Sequence, residues 1–268
     1  MGDMMLTTNF LKSRTSTREF KDKEVSNSDL NKINEFLENA TLVSGANVRL
    51  FIAKNGDEIY KGLQGLAGYG GIMIKAPSYI SLSVLNDEPK SLVEGAYLIE
   101  KFITFADEMG IGSCWISLGD VVNEDLYPLF TGASGDIPAI LAIGYPLKTK
   151  KNDHKYTDRI ANSDIVFIDS FDNPATDEQL EQRGINEIFN YAKYAPSSYN
   201  SQPWRFLLTD DKLSIYIEDF KGNNSLIDAG IIMYYIDELG KNISSNTKWD
   251  IEPKISGEIY TYIASKNL

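Results

Sequence analysis

Histidine and cysteine are almost missing from this chain, with one of each among 268 residues. A lone cysteine excludes an internal disulfide framework and suits a reducing compartment. One His and one Cys also cannot build the usual zinc sites, or a four-cysteine cluster, within a single chain, so no metal site is expected. Basic side chains are in deficit, 26 Lys and Arg against 38 Asp and Glu, for a net charge of −12. Phosphate contacts need a basic face, which argues against a nucleic-acid partner. Long apolar runs are lacking too. No stretch approaches the roughly 18 apolar residues of a membrane-spanning helix. The first residues, MGDMMLTTNFLKSRTSTREF, carry no apolar signal core. Met1-Gly2 is followed by Leu6 where myristoylation expects Ser or Thr. A soluble cytoplasmic protein with no membrane partner is the expectation. What the chain does have is 43% hydrophobic residues, enough for a packed core. Chemistry on this composition calls for a borrowed cofactor or a few charged side chains.

At roughly 150 residues per domain, the length falls between one domain and two. Four capping-box patterns precede helical periodicity, at Ser26-x-x-Asp29, Ser91-x-x-Glu94, Thr176-x-x-Gln179 and Ser225-x-x-Asp228. β-rich runs fall at 48–53, 79–84, 137–143, 165–168, 204–209, 213–218 and 259–264. These elements recur in order. SLVEGA at 91–96 resembles SLIDAG at 225–230, and both helices stop at acidic-apolar-Gly, EMG or ELG. NVRLFIA matches PWRFLLT, YISLSV matches LSIYIE, and PAILAIG matches IYTYIA. The order helix, strand, strand, helix, strand therefore appears twice, which reads as gene duplication. The expected organisation is a first half at 1–168 and a shorter second half at 169–268, in one intertwined domain. The two long helices at 92–109 and 226–239 would pack together in an intrachain pseudo-dimer.

Three segments are more specific than a core requires. Arg14-Thr-Ser16-Thr-Arg18 alternates guanidinium and hydroxyl groups, so an extended strand presents them on one side to a polyanion. Ala195-Pro-Ser-Ser-Tyr-Asn-Ser-Gln-Pro-Trp-Arg-Phe206 ends a helix with one proline and enters a strand through another. Its stiff polar run suits a flat heteroaromatic ligand. The third, 110–119 (GIGSCWISLG), reads as a glycine loop whose N–H groups approach a ligand closely. Cys114 within it reads as a buried structural thiol, and His154 as part of a solvated lysine-rich loop. GLQGLAGYGG is not a P-loop, because no Gly-Lys-Ser/Thr follows.

With RTSTREF, APSSYNSQPWRF, EMGIGSCWIS and AIGYP in place, the chain resembles the FMN-dependent nitroreductase family over most of its length. The likeness is to the duplicated branch of that family. It implies an α+β fold, a central mostly antiparallel sheet flanked by helices. In ordinary members all motifs lie in one subunit, and FMN sits between two identical subunits. Here the first half has LVSGAN where the second has PSSYNSQPW. The second half has EQRGIN in place of a second arginine motif and GKNISSNTKW in place of GxGxCW. The retained parts are complementary, which implies one complete FMN site per chain and a degenerate mate.

The roles that follow are those the resemblance implies. Arg14 and Ser16 would be phosphate and ribityl contacts, and Arg18 the cation at flavin N1 and O2. Pro196, Ser197, Ser198 and Asn200 would wall the ring. Trp115, with the backbone of Ile116, Ser117 and Leu118, would lie near N5. Arg159 would be a second phosphate arginine, and Tyr69-Gly70-Gly71 would face the pyrimidine end. FMN then carries the catalysis, with NAD(P)H as donor and a nitroaromatic or quinone-like small molecule as acceptor in ping-pong exchange. The alternatives are a flavin-binding or interaction module without turnover, or another flavin reaction on the same fold, such as reductive dehalogenation. A monomeric pseudo-dimer or a weak homo-oligomer is expected.

Overall fold

The computed structural model describes residues 10–12, 14–43, 47–148, 158–241 and 247–268. His154 and the Ser44–Ala46 part of LVSGAN lie outside them. The chain divides into two compact units, Arg14–Asn152 and a second made of Met1–Ser13 with Asp153–Leu268.

In the unit at 14–152 the elements are α1 (Asn27–Val43), β1 (Val48–Ala53), α2 (Gly56–Leu63), β2 (Ser78–Val84), α3 (Pro89–Glu108), β3 (Gly112–Ser117), α4 (Asn123–Leu126) and β4 (Asp136–Gly144). The strands pair in the order β1-β2-β4-β3, all antiparallel. Every residue of β2 is buried, as a central strand covered on both faces requires. On one face, Ile59 and Leu63 of α2 and Leu126 of α4 pack with Tyr79, Cys114, Ile116 and Ile140. On the other lies α3, held close by Gly95, where an added Cβ would stand 2.6 Å from a Leu82 methyl. Phe36 of α1 stacks on Phe105 of α3 at 4.9 Å between ring centroids.

The second unit contains α5 (Asn162–Ile165), β5 (Val166–Ile168), α6 (Asp177–Gln182), α7 (Asn186–Ala192), a 3₁₀ turn at Ser198–Asn200, β6 (Trp204–Thr209), β7 (Lys212–Glu218), α8 (Asn223–Gly240), β8 (Asp250–Lys254) and β9 (Tyr260–Asn267). Its sheet runs β5-β6-β7-β9-β8, antiparallel except for the parallel β5–β6 pair. Although 153–168 was read with the first half, β5 belongs to this second sheet. So does the chain start, where Lys12 reaches Glu187 at 3.4 Å and lies over the Tyr191 ring.

Each unit has the same plan. α1-β1-β2-α3-β3-β4 corresponds to α7-β6-β7-α8-β8-β9, and the order β1-β2-β4-β3 corresponds to β6-β7-β9-β8. Even the register agrees. Val48, Leu50 and Ile52 face Val84, Leu82 and Ile80, as Trp204, Phe206 and Leu208 face Ile217, Ile215 and Leu213. The α+β class with mostly antiparallel sheets flanked by helices is as expected from sequence.

Several local readings change. Residues 112–117 form a strand, not a loop. The segment pairs antiparallel with β4 along its whole length; of the glycines that suggested a loop, Gly110 (φ 70°) and Gly119 (φ 58°) stand outside the strand and Gly112 lies in it. Ser26 and Thr176 cap their helices as predicted, Thr176 with the full reciprocal box. Ser91 and Ser225 do not, because α3 and α8 begin earlier, after Glu88 and Gly222. Among the described residues no helix is long and apolar enough to cross a membrane.

Candidate functional site

In the unit at 14–152, β3 is an edge strand, and its outer edge organises the motif residues. Thr17 donates its backbone N–H to Ser113 O at 2.8 Å, and Gly68, from the glycine-rich turn, donates to Ser117 O at 2.7 Å. The arginine segment therefore runs along one end of β3 and the GLAGYGG turn closes the other. Lys21 N–H to Tyr145 O and Leu147 N–H to Glu19 O, both within 2.9 Å, tie the same segment to the GYP turn. Gly112 makes this possible: a Cβ there would stand 2.3 Å from Thr17 Oγ1 and 2.8 Å from Pro146 Cγ.

Arg14 is buried, Ser16 and Trp115 are half-buried, and Arg18 is exposed. All three members of the arginine motif act on β3 at Cys114. Burial pushes the Cys114 thiol up, and the charges of Arg18 and Arg14 and a hydrogen bond with Ser16 pull it back. A buried thiol kept protonated is a poor nucleophile, in line with the structural role expected for it. Ile116 and Leu118 place their side chains in the core, which leaves only their backbone for a ligand.

One acid was missed in the sequence reading. Glu100, midway along α3, is fully buried, and its Oε1 accepts the Trp115 indole N–H at 2.7 Å. Its Oε2 is buried without a hydrogen-bond partner. Burial drives its carboxyl upward, while the Arg14 charge and the Trp115 bond oppose that. The signal was legible: an acid follows Ile99 inside the apolar stripe Ala96, Ile99, Ile103.

The second unit brings together the other motif residues. Arg159 donates through Nη1 to Asn200 Oδ1 and through Nη2 to Tyr194 O at 3.3 Å. Asn200 in turn donates to Asp158 O at 3.1 Å. The loop between α7 and β6 is bent by non-glycine residues in the left-handed region, Tyr199 (φ 53°), Asn200 (φ 57°) and Gln202 (φ 50°). Asn tolerates this conformation; Tyr and Gln do so at a cost of about 1 kcal/mol each. Side chains hold the bend. Gln202, buried, accepts from Ile160 N–H at 3.0 Å and donates to Asn200 O at 3.1 Å, and Ser197 Oγ accepts the Gln202 N–H. Arg205 clamps the far end, bonding Gln202 O, Trp204 O and the Glu218 carboxylate. Asp228 of α8 accepts the Ser198 N–H through Oδ1 at 2.9 Å. Burial pushes Asp228 up to about 7, against the Ser198 bond. A cavity of about 380 Å³ opens beside it, lined by Ser198, Tyr199, Ser201, Lys221 and Asn224 among others.

The groups present fit a flavin mononucleotide by their chemistry. In the unit at 14–152, guanidinium and hydroxyl donors beside an edge strand suit a phosphate and a polyol; in the second unit, taken by itself, the loop with its Asn and Gln amides suits the polar edge of a planar heterocycle.

A family model described as "Putative TM nitroreductase" matches residues 7–238. Among solved structures, a putative nitroreductase from Thermotoga maritima is 18% identical, with a TM-score of 0.60, and the match covers 98% of this chain and 93% of that one. It shares the fold. An FMN-dependent nitroreductase from Clostridium difficile is 22% identical, with a TM-score of 0.43, over 56% of this chain and 96% of its own. A nitroreductase with bound FMN from Desulfitobacterium hafniense is 19% identical, with a TM-score of 0.44, over 58% of this chain and 98% of its own. No curated protein matches.

Proposed function

The chain belongs to the family described as Putative TM nitroreductase, an oxidoreductase type, and from that premise we propose that it is an FMN-dependent NAD(P)H oxidoreductase. The observation that carries the reading is the seating of the arginine segment along β3, with the Thr17 N–H bonded to Ser113 O and Arg14, Ser16 and Arg18 around Cys114. Arg14 and Ser16 hold the phosphate and ribityl chain, and exposed Arg18 offsets negative charge on the ring edge. The stretch Trp115–Leu118 supplies backbone donors. Pro196, Ser197, Ser198 and Asn200, with Arg159 bonded to Asn200, are the further contacts assigned to the cofactor. When bound, FMN would supply the redox chemistry between NAD(P)H as donor and a nitroaromatic or quinone-like acceptor using the same face in turn. The protein binds, orients and keeps water off that surface. No side chain needs to act as acid, base or nucleophile, which agrees with the buried, protonated Cys114.

The test is anaerobic mixing of FMN-loaded protein with NADH or NADPH. Bleaching of the flavin absorbance, followed by reoxidation on adding a quinone or nitroaromatic, supports the reading. Bound flavin that neither nicotinamide reduces would leave a flavin-binding module without turnover.

A further inference from the structure

Asp228 has the pattern of a helix-capping acid, three residues after Ser225, yet it does not cap. α8 already begins after Gly222, and Ser225 Oγ is taken by the Lys221 N–H at 2.7 Å. The carboxylate reaches out of its own helix to the Ser198 N–H. That bond lands at the start of the bend in which Tyr199, Asn200 and Gln202 hold positive φ. A bend of this kind persists only if its surroundings over-determine it. The repeat offers a comparison. The match of SLVEGA to SLIDAG puts Glu94 in the place of Asp228, in the copy whose loop is LVSGAN. There the acid is half-buried and pairs with Lys90 at 3.8 Å on its own helix. The acid is 3% exposed only in the copy that carries APSSYNSQPW.

We propose that Asp228 is the positioning residue of the 195–206 loop, its buried carboxylate fixing the Ser198 backbone and so the left-handed turn that presents Ser197, Ser198 and Asn200. This rests on the assignment of that loop to FMN, and it names a residue that acts on the cofactor only through the loop. Removing the acceptor would leave the Ser198 N–H without its partner, which costs more than the bond itself contributes. The other charged groups around the cavity are Glu218, Asp219 and Lys221; Glu218 is bonded to Arg205, and the Ser198 N–H goes to Asp228.

The experiment compares wild type with Asp228→Ala, Asp228→Asn and the control Ser225→Ala, using full-length protein. Amide hydrogen exchange of residues 197–202 is measured without flavin, and FMN affinity by fluorescence titration. Asp228→Ala should lose protection in that segment and bind FMN about tenfold more weakly, whereas Asp228→Asn, which keeps a carbonyl acceptor, should stay within about threefold of wild type. Ser225→Ala removes a neighbouring helix-start bond and should leave exchange at 197–202 unchanged. Equal protection in wild type and Asp228→Ala would overturn the proposal, and so would failure of Asp228→Asn to restore it. The exchange readout needs no flavin. Wild type that binds no FMN but shows the Asp228-dependent protection would sink the cofactor assignment and leave the positioning role standing.

Discussion

Two buried acids each reach out of a helix to an N–H donor on another element. Asp228 and Glu100 are both buried, and each accepts from one N–H donor, the Ser198 amide or the Trp115 indole. Both have carboxyls driven above the ordinary range by burial. A folded-state value above the unfolded one means that the native state binds the extra proton. The associated stability is complete below the unfolded value and lost as pH rises through the folded one. For Asp228 that window runs from 3.8 to about 7. Relative to Asp228→Asn, wild type should therefore lose up to roughly 4 kcal/mol across that window. Paired urea melts at several pH values check this, and a constant difference between the two proteins would refute it. Arg18 is the opposite kind of residue, exposed and outside the core. Arg18→Ala should change the unfolding free energy by less than about 0.5 kcal/mol while weakening FMN or making its midpoint potential more negative. An unchanged affinity and potential would remove Arg18 from the site.

At the scale of elements, the arginine segment, β3 and the GYP turn form one construction around a single missing side chain. Gly112→Ala would drive a methyl group into Thr17 and Pro146. Overpacking of this kind costs about 1–3 kcal/mol. FMN affinity should fall with it, because Arg14, Ser16 and Arg18 move with Thr17. A thermal shift together with a flavin titration checks both, and a variant with native stability and affinity would contradict the packing. These elements also show what the sequence could and could not reveal. β1 and β6 were legible to the residue, because alternation and flanking turns mark antiparallel strands plainly. β3 was not, since Gly110, Gly112 and Gly119 in and around it read as a ligand-binding loop and GSCWIS lacks a clear alternation. The caps at Ser91 and Ser225 failed for a different reason. A capping box is a local signal, and both helices begin a few residues earlier, after Glu88 and Gly222, so the two serines fall inside the first turn. Glu100 was readable as an acid in an apolar stripe, but its partner Trp115 lies on another element and no spacing announces it.

For the whole molecule, the repeat is the fact that organises the rest. Two units share element order, strand order and register, yet their motifs differ: RTSTR and GxGxCW in one, PSSYNSQPW in the other. Similar scaffolds with complementary motifs account for a length between one domain and two, and they are the ground for proposing a single working cofactor position where a plain repeat would have two. The direct measurement is the flavin content of purified protein reconstituted with excess FMN, by absorbance against chain concentration after removal of free flavin. One FMN per chain is the expected ratio. A colourless protein that retains none, or a ratio of two, would contradict it.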